Sequence, residues 1–236
     1  MEENKIHPTA IIGGQVELGV GNVIGPGAIL MGNTRLGSYN WVGPGAVIGG
    51  FPDIFGTPNC DGSAWWDSQS QSSEFGVRVG SRNIFKEHVT VHAGSHRDTA
   101  IADDCYLMPR AHLGHDCWIG NTVMLSPSVQ VAGHVAIGER AVIGMGALIH
   151  QFSAVGPVSM VGMGAVVRGL VEPCRTVVGE PHKVSGINKI GISRLLGPDV
   201  DLSSVLRALR EDSVNDGNFP RLSLAIDLWR QQVVTR

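Results

Sequence analysis

Residues 111–116, AHLGHD, place two histidines three positions apart and a carboxylate directly after the second. A neutral imidazole takes a proton from a hydroxyl, and an adjacent carboxylate fixes its tautomer and stabilises the imidazolium that forms. His115 is thus a candidate base and Asp116 a candidate orienting acid, although adjacency alone leaves open whether one side chain reaches the other. Downstream, AGH at 132–134 and HQF at 150–152 bring Gly133, His134, His150 and Gln151, and VHAGS upstream brings His92. Three uses of such a set stay open: a base acting on a hydroxyl, imidazoles gathered around zinc, or a polar subunit contact in which the rings only hydrogen-bond.

These residues meet only if the chain winds regularly, and it does. Aliphatic residues recur at every sixth position from Ile6 through Ile12, Leu18, Ile24, Leu30, Leu36, Val42 and Ile48 to Ile54. The beat resumes at Val79, Phe85 and Val91, and again from Ile101 to Val167. A smaller side chain follows four residues after most beats, as at Ala28, Ala46, Cys105, Ala111, Cys117 and Ala147. This period matches neither a helix nor a half-buried strand. It predicts an all-β solenoid, a parallel β-helix in which three hexads make one triangular coil and each coil buries its apolar face on the next. About 24 beats give about eight coils, a prism of roughly 38 Å at the strand spacing of a sheet.

An eighteen-residue coil also acts as a ruler. His112, His115, His134 and His150 fall on one face, and His92 joins them after allowance for four extra residues in the corner at 93–100. Gly133 lies eighteen residues beyond His115, which sets a bare backbone N–H one coil above the candidate base, where it suits an oxyanion.

The beat fails between Ile54 and Val79, in a stretch (about 55–78) rich in Gly, Ser and Gln that carries Trp65 and Trp66. This segment reads either as a surface flap or as a lid over a site. The β-helix domain is expected over 1–182 and a small helical region over 183–236. There Leu202, Val205, Leu206 and Leu209 form an apolar stripe, with Asp199 or Asp201 placed as a cap.

A net charge of −3 without a basic block argues against a nucleic-acid partner. No apolar stretch is long enough to span a bilayer, and the polar amino terminus shows no signal segment, so a cytoplasmic location is expected. The four cysteines include no Cys-x-x-Cys pair, and no thiolate zinc site or disulfide framework is expected.

The run 111–167, together with HPTA at 7–10 and RNIFKEHVTVHAGS at 82–95, resembles the UDP-N-acetylglucosamine O-acyltransferase family of lipid A biosynthesis, built on hexapeptide repeats. The resemblance covers about the first 190 residues. It implies a left-handed β-helix and a homotrimer with active sites between subunits. It also implies acyl transfer from acyl carrier protein to a sugar hydroxyl, with coenzyme A an alternative donor and no cofactor or metal. On that pattern His115 is the general base, Asp116 orients it, and Gly133 donates its N–H to the oxyanion. Asp53, His92, His112, His134, His150, Gln151, Asn188 and Arg194 would bind substrate. Two departures stand out. The family's Gln-Asp-x-Lys is Pro52-Asp53-Ile54-Phe55 here, without the lysine, and its Asn-x-Glu with a following Arg-Arg becomes Asn188-Lys189-Ile190 with Arg194-Leu195. An acceptor other than a UDP-sugar is therefore open. The γ-type carbonic anhydrases share the prism and the interfacial histidines, but their paired ligands lie five apart, against three for His112 and His115.

Overall fold

In a computed structural model, residues 2–55 and 74–234 are described. The Trp65 and Trp66 segment lies outside them. Short strands, most of two residues and ending on the aliphatic beat, stack into three sheets of ten, eight and eight strands, parallel throughout except for the last strand of the first. The register is the expected one: Lys5 pairs Val23, His112 pairs Gln130, and Leu113 pairs Val131, each eighteen residues apart. Across the 93–100 insertion the step becomes twenty-two, with Thr90 opposite His112 and Val91 opposite Leu113.

One beat needs correction. Ile54 carries no strand; the third side of its coil is Val77–Val79, which pairs with Thr34–Leu36. Pro52 has no N–H to give a ladder, and the chain leaves the prism there. At the other end Leu170–Val171 supplies a side absent from the expected series. It is reached by a shortened hexad that turns at Gly169 (φ 92°) and pairs Ala154 with Leu170. Twenty-four strands thus complete eight coils, and Arg175–Val178 begins a ninth. Lys183–Ile187 then runs antiparallel to it and covers the end of the ten-stranded sheet.

From the second coil onward the beat residues on strands are sealed inside the prism, with Leu107, Leu113, Leu125, Val131 and Ile143 all fully buried, whereas Ile6 in the first coil stays exposed. The small slots hold Ala111, Cys117, Val129 and Ala147, which leave room for the larger neighbours. Cys105 and Cys117 are core residues as expected, and burial pushes the Cys105 thiol up to about 12. Along one corner a buried asparagine ladder ties successive coils. Asn40 donates its backbone N–H (2.8 Å) and Nδ2 (3.1 Å) to Asn22 Oδ1, while its own Oδ1 accepts from Asn83 N (2.9 Å) and Nδ2 (3.0 Å). Asn83 Oδ1 in turn accepts from Cys105 N at 2.7 Å, where the ladder ends in a thiol.

At most corners, the asparagine ladder's included, the second turn residue sits in the left-handed region, as at Asp116, His134 and Phe152, each at φ 60°. A run of such residues is costly in isolation. The hydrogen bonds to the coils above and below hold it, and the side chains at this slot are thereby stacked eighteen residues apart.

The helical region follows the prism. α1 (Lys189–Leu196) is capped by Asn188, whose Oδ1 accepts from Gly191 N, and α2 (Leu202–Arg210) is capped by Asp201. Together with α3 (Pro220–Val234) they bury Ile192, Leu195, Val205, Leu222 and Ile226 against Val158 and Cys174. Trp229 of α3 lies on Ala136 and Ala154 of a prism face.

Asn40→Ala should strand the Asn83 donors and cost about 2–4 kcal/mol. A urea midpoint lowered accordingly, with the far-ultraviolet spectrum of the folded state unchanged, is the expected result.

Candidate active site

Four neighbouring columns carry the unusual side chains. The outward strand position gives His112, Gln130, Leu148 and Val166, and the next gives Gly114, Ala132, His150 and Arg168. The first turn slot gives His115, Gly133 and Gln151, and the second gives Asp116, His134 and Phe152. Together with Asp53, members of the first three columns line a groove of about 470 Å³.

His115 Nδ1 lies 2.6 Å from Asp116 Oδ2, so the two residues do meet. Asp116 is fully buried, and its carboxylate is surrounded by donors from the 93–100 insertion. Oδ1 accepts from three successive backbone N–H groups, Ser95 (3.0 Å), His96 (2.8 Å) and Arg97 (2.9 Å), an anion-binding nest. Oδ2 accepts from the Ser95 hydroxyl at 2.6 Å as well as from His115. Gly94 lets the loop close this tightly, since a Cβ there would stand 1.6 Å from Arg97 O. The Arg97 guanidinium donates to the Asp116 carbonyl from Nε (2.9 Å) and Nη2 (2.7 Å). Burial alone would raise the Asp116 carboxyl, but hydrogen bonds from His115, Ser95 and the His96 and Arg97 amides outweigh it and hold the group far below the usual carboxylate range.

An ionised Asp116 accepts only, so His115 carries its proton on Nδ1 and keeps the Nε2 lone pair free. That edge of the ring meets Gly133: a Cβ on Gly133 would lie 2.5 Å from His115 Nε2. Proline fills the same first turn slot at Pro44, Pro109, Pro127 and Pro157, so the prism does not use an N–H there. Among the described residues no protein acceptor takes the Gly133 N–H.

Around this centre, His134 stands edge-on to His115 with ring centroids 5.0 Å apart, stacks on Phe152 at 4.5 Å, and brings Nε2 within 3.6 Å of Asp116 Oδ2. His92 and His112 meet edge-on at 4.9 Å, and the Thr90 hydroxyl lies 2.8 Å from His112 Nδ1. Asp53 Oδ2 reaches both rings, 3.0 Å from His92 Nδ1 and 3.8 Å from His112 Nε2. Burial holds the imidazoles of His92, His112 and His134 below their ordinary range. All three therefore favour the neutral form, in which a ring both donates and accepts.

Of the expected site residues, His115, Asp116, Gly133, Asp53, His92, His112, His134, His150 and Gln151 converge on one region. Asn188 and Arg194 stand apart from the groove within the chain. Asn188 caps α1 and donates Nδ2 to Val158 O at 2.8 Å, and Arg194 lines a shallow recess beside Lys189, Ile190 and Leu202. Sequence reasoning passed over Arg168, although it lies eighteen residues past His150, and over Ser95 and Arg97, which sit in an insertion that no ruler reaches. Two clusters place one potential ligand atom per residue within 4.8 Å: Asp53 with His92 and His112, and His96 with Asp116 and His134. The second is already saturated, because its carboxylate accepts five hydrogen bonds.

Residues 116–151 match the family model described as bacterial transferase hexapeptide (six repeats). The UDP-N-acetylglucosamine acyltransferase of Campylobacter jejuni superposes with a TM-score of 0.72 over 92% of this chain and 94% of that one, at 24% identity. The chain has the left-handed β-helix fold of the hexapeptide-repeat acyltransferases. The corresponding Bacteroides fragilis structure gives a TM-score of 0.69 at 23% identity, covering 96% of this chain and 95% of that one. In sequence, this β-helix is 36% identical over 91 residues to the acyl-carrier-protein-dependent UDP-N-acetylglucosamine O-acyltransferase of Paraburkholderia xenovorans. The match spans 37% of this chain and 32% of that relative, about a third of its length. No helix among the described residues is long and apolar enough to cross a membrane.

Asp116→Asn should replace an acceptor with an amide that faces the Ser95 and His115 donors, a loss of about 3 kcal/mol or more. Because the folded carboxyl is held below its unfolded value, its stabilisation is complete above the unfolded value near pH 4 and fades as pH falls through the folded one. The gap between the denaturant melts of wild type and variant should therefore persist through the neutral range and close only in stronger acid.

Proposed function

We propose that the chain is an O-acyltransferase that moves an acyl group from a carrier thioester to a hydroxyl of a sugar nucleotide. The observation that supports this most directly is that His115 Nε2 lies against Gly133, whose missing Cβ leaves the ring its place at the groove, while a buried, ionised Asp116 holds His115 Nδ1 at 2.6 Å from behind. His115 Nε2 takes the proton of the acceptor hydroxyl as its oxygen attacks the thioester carbonyl. The tetrahedral oxyanion receives the Gly133 N–H. Collapse breaks the carbon–sulfur bond, and the imidazolium returns its proton to the departing thiolate, which leaves an ester and a free carrier thiol.

His150 and Gln151 line the groove, and the neutral rings of His112 and His134 suit sugar hydroxyls, to which they offer both donors and acceptors. Asp53, set between His92 and His112, is a further acceptor for them. Acyl carrier protein and UDP-N-acetylglucosamine are the donor and acceptor named for the Paraburkholderia xenovorans relative. A homotrimer with the groove closed by a neighbouring prism, working in the cytoplasm, completes this reading. Phe55, fully exposed where the resembling family has lysine, favours a different phosphate contact or a different acceptor.

Replacing His115 by Ala should lower acyl transfer from an acyl-carrier thioester by about 10²- to 10⁴-fold while the fold is kept. Transfer at the wild-type rate would end the assignment and leave the prism as a scaffold. Calorimetric titration with UDP-N-acetylglucosamine should show saturable binding that His112→Ala weakens. No heat at millimolar ligand would redirect the acceptor to a non-UDP sugar.

A further inference from the structure

The Ser95 hydroxyl shares one carboxylate oxygen with the base. Its Oγ lies 2.6 Å from Asp116 Oδ2, the atom that also takes the His115 Nδ1 proton at 2.6 Å. A hydroxyl has a single proton, and an ionised carboxylate offers none, so that proton points to Asp116. His96 Nδ1, 2.8 Å from Ser95 Oγ, must then be the donor to the hydroxyl. The result is a directed chain: His96 Nδ1–H to Ser95 Oγ–H to Asp116 Oδ2, met from the other side by His115 Nδ1–H.

We propose that Ser95 is a positioning residue that sets the strength of the base: by occupying part of Asp116 Oδ2, it limits the negative charge that His115 feels. Resting on the acyltransferase reading, this makes the insertion at 93–100 a tuning element for the catalytic base as well as a corner of the coil. The physical cause is competition for one oxygen. A carboxylate that already accepts four other hydrogen bonds stabilises an imidazolium less than one that accepts three. The other charged or titratable groups facing His115 are His134 from the next coil, and His92, His112 and Asp53 across the groove. Arg97 is engaged on the Asp116 carbonyl. None of them holds Oδ2 at hydrogen-bonding distance; His134 Nε2, at 3.6 Å, comes nearest.

The test compares wild type with Ser95→Ala, Ser95→Cys and Ser95→Thr. In Ser95→Ala the acid limb of the transfer-rate profile should move upward by about 0.5–1 pH unit, because the unshared carboxylate keeps the imidazolium protonated to higher pH. Thr keeps the hydroxyl and should restore the wild-type limb, whereas Cys, a weaker donor, should fall between. The His115 Cε1–H resonance, followed by NMR through the same pH range, should shift its midpoint in the same direction. That readout does not require turnover, so it separates the two claims. A moved midpoint in a protein that transfers no acyl group would uphold Ser95 and discard the acyltransferase reading. An unmoved midpoint in an active enzyme would overturn the role of Ser95 alone. Should Ser95→Ala fail to fold, Ser95→Cys carries the same test, and a midpoint there identical to wild type would overturn the proposal.

Discussion

Everything in this molecule depends on the backbone ladder that fixes each coil directly over the one before it. A two-residue strand has no stability of its own, and a triangular coil cannot bury its apolar side without neighbours. Stacking at eighteen-residue intervals solves both problems together. Each strand finds partners above and below, and the beat residues close into one continuous core. The same constraint turns sequence distance into spatial address, which is how His115, Gly133 and Gln151 come to share a column although they belong to three different coils.

Against that regular background the site is a local exception in charge. A parallel prism of this kind carries little buried polarity beyond its asparagine ladder and a few hydroxyls. Among the described residues Asp116 is the one buried carboxylate, and the fold tolerates it by supplying five donors from three sources: a nest of amides, a hydroxyl and the imidazole itself. Such saturation matters more than proximity. It keeps the carboxylate ionised, fixes the proton of His115 on Nδ1, and leaves Nε2 facing the groove. The left-handed turn adds its part, because it presents Asp116 toward the insertion while Gly133, with no side chain, stays clear of the His115 ring.

Much of this was legible in the sequence for one physical reason. The hexad beat reports side-chain burial at fixed intervals, so it foretold the strands, the eight coils and the convergence of His92, His112, His115, His134 and His150. It misled where regularity stopped. Ile54 keeps the beat but not the strand, because Pro52 ends the ladder, and Val171 keeps the strand but not the beat, because Gly169 tightens the last corner. Ser95 and Arg97 were invisible to periodicity, since an insertion has no counterpart eighteen residues away. Arg168 was open to the ruler, one coil beyond His150 in the same column. Asn188 is a helix cap, a role that depends on tertiary placement and leaves no trace in spacing.

The insertion also decides how portable the site is. In a solenoid every coil is interchangeable in principle, and a histidine placed on one could sit as well on the next. The three amides that receive Asp116 exist only at the corner of residues 93–100, so the charged residue is pinned to the coil that lies directly above that corner. The prism could lengthen or shorten by whole coils toward either end without disturbing this arrangement. A shift of the carboxylate by a single coil would leave it buried with nothing to receive it. One irregular corner thus gives a repetitive body a unique origin from which every other position is measured.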